Sequence, residues 1–166
     1  MSARRGNLLG FAACAALLAY AYYAQFVLHL EPCPLCIFQR VGVFSIGVVF
    51  LIAASHDPVS WGRRAYASLL AVAALATIGV ALRHLYIQHL PEGSIPACGA
   101  SLDFMLKVFS LNEVLVKVLT GSGECAKVTW QFLGLAMPAW VLIAALTLGG
   151  YGVWNNLRRQ VPVLRF

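Results

Sequence analysis

The chain alternates between long stretches almost free of charged residues and shorter polar segments. The apolar stretches cover 8–28, 37–55, 65–82 and 128–157. A helix needs roughly 20 apolar residues to cross the ~30 Å hydrocarbon core of a bilayer, and each stretch is close to that length or longer. The pattern predicts an all-α membrane protein, a four-transmembrane-helix bundle, with the fourth span at about 132–153.

Two of these stretches contain a residue that is unusual in lipid. Arg40 lies near the start of the second stretch, and Pro138 lies within the fourth. An arginine near a helix end reaches the interface with its long side chain. Neighbouring helices satisfy the backbone groups that a proline leaves unpaired. Neither residue therefore excludes a membrane span.

Composition agrees with a single integral membrane domain over 1–166. The chain is 61% hydrophobic and 11% charged, with a mean hydropathy of +0.80, which excludes an ordinary soluble domain. A net charge of +6 is compatible with a nucleic-acid partner, but the basic residues form no run with interleaved aromatic residues. We therefore expect no nucleic-acid partner. Arg4 and Arg5 before an apolar stretch also fit a secretory signal. That stretch is longer than the ~7–15 apolar residues of such a signal, so we expect the first span instead.

Charged residues divide unequally between the two sides of a four-helix topology. One side carries seven arginines and a single acid, namely Arg4, Arg5, Arg63, Arg64, Arg158, Arg159, Arg165 and Asp57. The other side balances five basic residues with five acids, namely Arg40, Arg83, Lys107, Lys117, Lys127, Glu31, Glu92, Asp103, Glu113 and Glu124. The positive-inside rule therefore predicts cytoplasmic termini and two outer loops, at about 29–36 and 83–131.

The second outer loop contains a segment with helical periodicity, 102–119. Its polar residues recur every three or four positions, namely Asp103, Lys107, Ser110, Glu113 and Lys117. One polar stripe on an otherwise apolar helix is typical of a helix that lies flat in the membrane interface. The pattern predicts a short amphipathic interfacial helix, and the alternative is a helix packed against the bundle.

The five cysteines are sorted by location. Cys33 and Cys36 lie in the first outer loop, Cys98 and Cys125 lie in the second, and Cys14 lies inside the first span. An oxidising outer compartment permits disulfides, whereas Cys14 is expected to pack as a small apolar residue. The four outer cysteines fit two structural disulfides, two redox-active pairs, or a four-thiolate metal site.

Spacing separates these three readings. A bridge between Cys33 and Cys36 closes so short a loop that it restricts the unfolded chain very little, which favours redox chemistry for this pair. Cys98 and Cys125 close a long loop, so a structural disulfide remains open there. Because this second pair lacks the close spacing of zinc knuckles, we expect no metal.

Arg40 strengthens the redox interpretation of the first pair. Cys36 falls in the first turn of the second span, where unpaired backbone N–H groups favour a thiolate. Arg40 follows four positions later and therefore lies on the same helix face. Its guanidinium is suited to stabilise a Cys36 thiolate or the negative charge that develops on a bound electron acceptor. The alternative role for Arg40 is a simple interfacial cation.

These residues resemble the DsbB family of bacterial inner-membrane disulfide oxidoreductases over essentially the whole chain. The resemblance is carried by Cys33-Pro-Leu-Cys36 followed by Ile-Phe-Gln-Arg40, by Cys98 and Cys125 on either side of an amphipathic segment, and by the segment WQFLGLAMPAW at 130–140. It implies that all four outer cysteines are catalytic. It also implies a periplasmic partner, a DsbA-like thiol oxidase with a thioredoxin fold.

The resemblance further implies a path for electrons. The partner's thiolate attacks the Cys98–Cys125 disulfide at Cys98, and electrons pass through a transient Cys125–Cys33 bond. Cys36 is left as the thiolate that faces a membrane quinone, either ubiquinone or menaquinone. By the same resemblance, Arg40 and His84 contact the quinone.

Three other classes of protein remain as alternatives. An enzyme resembling vitamin K epoxide reductase also joins four helices to a CxxC, but usually places it near the last helix. A carrier that delivers reductant across the membrane needs thiols at depth, and Cys14 alone does not suffice. A non-enzymatic scaffold with structural disulfides predicts that loss of cysteine harms folding and never turnover.

Overall fold

A computed structural model describes residues 2–58, 61–91, 107–121, 123–126, 128 and 130–158. Four long helices form the bundle, namely α1 (Ala3–Phe26), α2 (Pro34–His56), α3 (Trp61–Gln88) and α6 (Met137–Leu157). Between α3 and α6 lie the shorter helices α4 (Leu111–Thr120) and α5 (Gly123–Ala126), followed by a two-stranded antiparallel hairpin with strands β1 (Gln131–Phe132) and β2 (Leu135–Ala136).

All four long helices have the length and hydropathy needed to cross a membrane. The predicted four-helix membrane bundle is therefore confirmed. α3 continues to Gln88, beyond the stretch predicted to span, whereas α6 begins only at Met137 because the hairpin precedes it. Large apolar side chains on the outside of the bundle are exposed, for example Val72 and Leu75 at 66% each, as lipid-facing residues are expected to be.

The bundle core lies where α1, α2, α3 and α6 meet. It is built from buried residues of moderate size, namely Cys14, Val43, Ile46, Phe50, Leu70 and Ala74. Gly149 of α6 allows close approach to α3, because a Cβ there would come within 2.5 Å of the Ala74 Cβ. Such small residues are typical of helix interfaces in membranes. Cys14 is 1% exposed in this core, as the sequence predicted.

Three asparagines join α1 to the end of α6. Asn7, Asn155 and Asn156 are all buried. The Asn155 Nδ2 donates to Asn7 Oδ1 at 2.9 Å, the Asn156 Nδ2 donates to the same oxygen at 3.0 Å, and Asn7 Nδ2 donates back to Asn156 Oδ1 at 3.2 Å. Buried amides that bond across helices stabilise a membrane bundle, since no water is present to satisfy them.

The predicted helix at 102–119 differs from the structure at its centre. Residues 101–106 lie outside the described part, and the chain at Phe109 and Ser110 is not helical before α4 begins at Leu111. The Ser110 backbone N–H donates to the Glu113 Oε2 at 3.2 Å, an arrangement that starts a helix. The prediction of one unbroken helix was therefore wrong, because Ser110 and Glu113 form a cap where periodicity alone indicated continuity.

α4 packs against the end of the bundle where α2 begins and α3 ends. Its Val114 and Val118 are buried with Leu35, Ile87 and Cys125 in a second apolar cluster. This contact agrees with the alternative of a packed helix, while Val116 on the same helix is 55% exposed. Placement of α4 in the membrane interface stays a prediction.

The C-terminal end of α4 is tied to α3. Arg83 donates through Nε to the Leu119 carbonyl at 2.7 Å and through a terminal nitrogen to the Thr120 carbonyl at 3.1 Å, satisfying carbonyls that a helix end leaves unpaired. Gly121 then turns the chain with φ of 92°, and a Cβ there would lie 2.5 Å from Ile87 Cδ1. Glycine is required by both conformation and space. This turn delivers Cys125 to the bundle.

Candidate functional site: a dithiol beside an apolar cavity

The dithiol is formed by the start of α2. Cys33 is the N-cap of this helix, Pro34 follows in its first turn, and the Cys33 sulfur accepts a hydrogen bond from the Cys36 backbone N–H at 3.3 Å. Proline is favoured at this position because its missing N–H has no role there. The two sulfurs lie 3.0 Å apart, with the Cys33 thiol donating to Cys36. The capped first turn thus brings the two thiols into contact.

Cys33 is the middle member of a row of three sulfurs. Its thiol is hydrogen-bonded with Cys125 as well as with Cys36. The hydrogen bond with Cys125 is the largest cause of a raised pKa for the Cys33 thiol, followed by the bond with Cys36 and by burial. The Cys33 thiol therefore retains its proton, and the two neighbouring sulfurs accept hydrogen bonds from it. Helix α5 places Cys125 beside Cys33.

His84 is buried beside Cys33 and is 2% exposed. Its Nε2 is 3.2 Å from the Cys125 carbonyl oxygen and 3.7 Å from the Cys33 sulfur, and its Nδ1 is 3.2 Å from the Gln39 Nε2. A carbonyl only accepts, so Nε2 carries a proton, and Nδ1 accepts from the Gln39 amide. Gln39 thereby holds the ring with its N–H directed at Cys125 and Cys33.

A cavity of about 510 Å³ opens on the other side of the dithiol, between α1, α2, α6 and the hairpin. Its wall is mainly apolar and aromatic, with residues such as Leu17, Tyr20, Trp130, Phe132 and Trp140. Cys36, Gln39 and Arg40 are polar or reactive residues on the same wall. A mainly apolar cavity with a few convergent polar groups is typical of a site for a lipophilic small molecule.

Arg40 is held at this wall by α1. One terminal nitrogen donates to the Ala21 carbonyl at 3.1 Å, the other donates to the Gln25 side-chain oxygen, and the Tyr22 ring centroid lies 5.3 Å from the guanidinium carbon. Because these contacts fix the guanidinium, Arg40 presents a rigid cation to the cavity. The predicted placement of Arg40 on the face of Cys36 is confirmed, since both line one cavity.

The hairpin and the residue before it contribute two of the aromatic side chains of the wall, Phe132 and Trp130. Its two-residue loop, Leu133-Gly134, has positive φ at both positions, 52° and 77°, as the tightest antiparallel hairpins require. Trp130 and Phe132 stack with their ring centroids 6.1 Å apart, and the Trp140 indole N–H donates to the Phe132 carbonyl at 3.2 Å.

The structure joins most of the predicted site residues but separates them into two surfaces. Cys36 and Arg40 line the cavity, whereas Cys33, Cys125 and His84 meet behind it. Among the described residues, His84 reaches the cavity only through Gln39, so its contact with an acceptor stays a prediction. Cys98 lies outside the described residues.

Sequence reasoning overlooked two polar residues of the site. Gln39 is 2% exposed and bridges His84 to the cavity, and Gln25 binds Arg40. Polar side chains inside a membrane span are costly and are often functional, so both residues carried a usable signal. A neutral glutamine is a weaker indication of function in a membrane span than a charged residue such as Arg40.

A four-helix membrane bundle that holds two adjacent thiols against an apolar cavity is typical of one class, the membrane-embedded thiol–disulfide oxidoreductases. The family model described as "Disulfide bond formation protein DsbB" matches residues 3–155. The chain belongs to the DsbB family. The expected resemblance is confirmed, and the disulfide-forming oxidoreductase role follows from it.

Relatives in several bacteria share this similarity over nearly their whole length. "Disulfide bond formation protein B" of Nitrosococcus oceani is 53% identical over 155 residues, covering 93% of this chain and 92% of the relative. The protein of the same name from Methylococcus capsulatus is 51% identical over 160 residues, covering 95% and 98%. That of Chromobacterium violaceum is 48% identical over 152 residues, covering 92% and 90%.

Proposed function

We propose that this protein reoxidises a periplasmic DsbA-like dithiol oxidase and passes the electrons to a membrane quinone through two cysteine pairs. It acts as a protein-dithiol:quinone oxidoreductase of the bacterial inner membrane. Its termini are cytoplasmic and its cysteine loops are periplasmic, as the charge distribution favours. The acceptor is ubiquinone or menaquinone, which takes up two electrons and two protons to become a quinol.

The observation that carries the proposal is the position of the dithiol between two surfaces. Cys33 faces Cys125, whereas Cys36 faces the apolar cavity. A relay requires a cysteine that accepts electrons from a second thiol pair and a neighbour that reaches the acceptor. A purely structural disulfide has no need of such a cavity beside one sulfur.

The exchange begins with the partner protein. A partner thiolate attacks Cys98 of the Cys98–Cys125 disulfide, forms a mixed disulfide and releases the Cys125 thiolate. The partner's second thiolate then displaces Cys98, so that the partner leaves oxidised and both cysteines of the second pair are reduced. Two electrons have thereby entered the protein.

Transfer to the first pair follows the row of sulfurs. The Cys125 thiolate attacks the sulfur of Cys33, the Cys33–Cys36 bond breaks, and its electron pair leaves on Cys36. Cys98 then attacks Cys125, which restores the second disulfide and releases Cys33. The contacts of Cys33 with both Cys125 and Cys36 support this order.

The cavity suits a quinone ring in both shape and chemistry. Its apolar and aromatic wall accepts a lipophilic ring, and the fixed Arg40 cation donates to a carbonyl oxygen that gains negative charge. Cys36 lies on the same wall, so it is the thiolate that reacts with the bound quinone. Oxidation of the dithiol to the Cys33–Cys36 disulfide balances the two electrons that the quinone receives.

Purified protein in detergent tests the proposal directly. A reduced thioredoxin-fold oxidase and a soluble quinone are supplied, and quinone reduction is followed by absorbance while partner thiols are counted. We expect turnover that requires both substrates, its loss in Cys36→Ser and Cys33→Ser, and near wild-type turnover in Cys14→Ser. A wild-type protein that oxidises no dithiol in the presence of quinone contradicts the proposal and leaves the scaffold alternative.

A further inference from the structure

Cys33, Cys36 and His84 form a cluster whose potential ligand atoms all lie within 4.8 Å of one another. We propose that the reduced protein binds one thiophilic divalent cation, Zn²⁺ or Cd²⁺, through these three residues. The cation is an inhibitor that captures the dithiol state and is not a cofactor. Thiolate and imidazole donors are the set that such cations prefer.

The distances are close to those of a tetrahedral site. With metal–sulfur bonds of about 2.3 Å and metal–nitrogen bonds of about 2.1 Å, two ligand sulfurs lie about 3.8 Å apart, and a sulfur lies about 3.6 Å from a nitrogen. The observed separations are 3.0 Å between the Cys33 and Cys36 sulfurs and 3.7 Å between the Cys33 sulfur and the His84 Nε2. The third separation, between the Cys36 sulfur and a His84 ring nitrogen, is within 4.8 Å, so side-chain movements on the order of 1 Å complete the site.

A hydrogen-bonding partner for the histidine is also present. Cys125 is hydrogen-bonded to Cys33 but is not a member of the group of three, so water takes the fourth position. Gln39 contacts the His84 nitrogen opposite the cluster at 3.2 Å. On metal binding the His84 ring must carry its proton on Nδ1 instead of Nε2, and the Gln39 amide must turn so that its oxygen accepts a hydrogen bond from the Nδ1 N–H. Such an outer hydrogen bond fixes the ring of a metal-binding histidine.

Binding depends on the redox state of the protein. A Cys33–Cys36 disulfide has no thiolate to offer, whereas the dithiol releases protons when the cation binds. A cation on Cys33 and Cys36 also withdraws both sulfurs from exchange and from the cavity. This inhibitory consequence rests on the proposed function, but the binding itself does not.

Co²⁺ is the spectroscopic probe of the site. Fully reduced protein, freed of reductant under anaerobic conditions, is titrated with Co²⁺ and followed through sulfur-to-cobalt charge transfer and the intense visible bands of tetrahedral cobalt. Zn²⁺ then displaces the Co²⁺. We expect one equivalent bound by reduced wild-type protein and none by protein with both disulfides formed, a comparison that needs no variant.

Variants assign the ligands. Cys33→Ser should abolish the charge-transfer signal, His84→Ala should lower affinity more than tenfold, and Gln39→Leu should lower it roughly 10- to 100-fold. His89→Ala is the matched control, because His89 directly follows α3 and its Nδ1 contacts the Leu85 carbonyl instead. Its affinity should stay within twofold of the wild type.

Two results overturn the inference. One is the absence of a charge-transfer signal in reduced wild-type protein, and the other is an affinity in His84→Ala equal to that of His89→Ala. Turnover with partner and quinone is measured separately with and without Zn²⁺. Metal binding without any turnover refutes the proposed function alone, and turnover without metal binding refutes the site alone.

Discussion

Replacing Arg40 with alanine tests the proposed coupling between the dithiol and a quinone acceptor. The Arg40 guanidinium is held against the cavity by Gln25, by the Ala21 carbonyl and by the Tyr22 ring, so it is placed before any acceptor arrives. A hydrogen bond from a charged donor contributes about 1.5–3 kcal/mol. Since about 1.4 kcal/mol corresponds to a factor of ten, Arg40→Ala should lower kcat/KM for quinone roughly 10- to 150-fold.

Two further variants separate charge from geometry. Arg40→Lys keeps the charge but loses the planar fork, so we expect an intermediate loss. Gln25→Leu keeps Arg40 and removes one of its anchors, which should raise KM for quinone more than it lowers kcat. A simple interfacial cation would tolerate both changes.

The assay varies quinone at a fixed, saturating concentration of reduced partner. Arg64→Ala is the matched control, because Arg64 is an exposed arginine near the start of α3. Thermal unfolding in detergent shows whether each variant remains folded, since loss of the Arg40 contacts with α1 also lowers stability. Wild-type kcat/KM for quinone in folded Arg40→Ala would refute the reasoning and leave Arg40 as an anchor.

Three further outcomes follow from the described contacts. Hydrogen bonding with Cys125 is the main cause of the raised pKa of Cys33, and alanine at position 125 removes this partner. Cys125→Ala should therefore shift the pH midpoint for alkylation of Cys33 downward, as resolved by mass spectrometry, whereas Cys14→Ala should not. Gly121→Ala should lower the free energy of unfolding by about 1–3 kcal/mol, because Gly121 has a φ of 92° and an added Cβ would collide with Ile87. Gly79→Ala is the control and should be neutral, because a Cβ at that position meets nothing within 4 Å. Asn7→Ala should cost about 1–3 kcal/mol in the same measurement because it leaves Asn155 and Asn156 without their shared acceptor, and equal stability would count against the amide network.

The bundle followed from the sequence because a bilayer imposes strict requirements on a spanning segment. Length and hydropathy alone indicate a helix when every backbone group must be satisfied internally. The dithiol followed as well, because Cys33, Pro34 and Cys36 are close in sequence and a helix start brings them together locally. The placement of Arg40 on the face of Cys36 depended only on helical periodicity.

The break at Ser110 and the hairpin before α6 were harder to predict from the sequence. The break depends on a helix cap between Ser110 and Glu113, and the hairpin depends on a turn at Leu133 and Gly134. A pattern of hydrophobic residues does not show such caps and turns. The start of α6 at Met137 is a consequence of that hairpin.

What the sequence by itself determined is therefore local: which segments span, where the paired cysteines lie along the chain, and which charged residue shares the helix face of Cys36. The family resemblance implied that Cys33 meets Cys125 and that Cys36 faces an acceptor, but the residue pattern did not, and the tertiary structure places Cys33 beside Cys125 and Cys36 at the cavity. Only the tertiary structure decided that Gln39 joins His84 to the same wall. These relations join α2 to α3 and α5, which are distant along the chain. Periodicity within one helix carries no information about the rotation of another helix against it, and packing alone fixes that rotation.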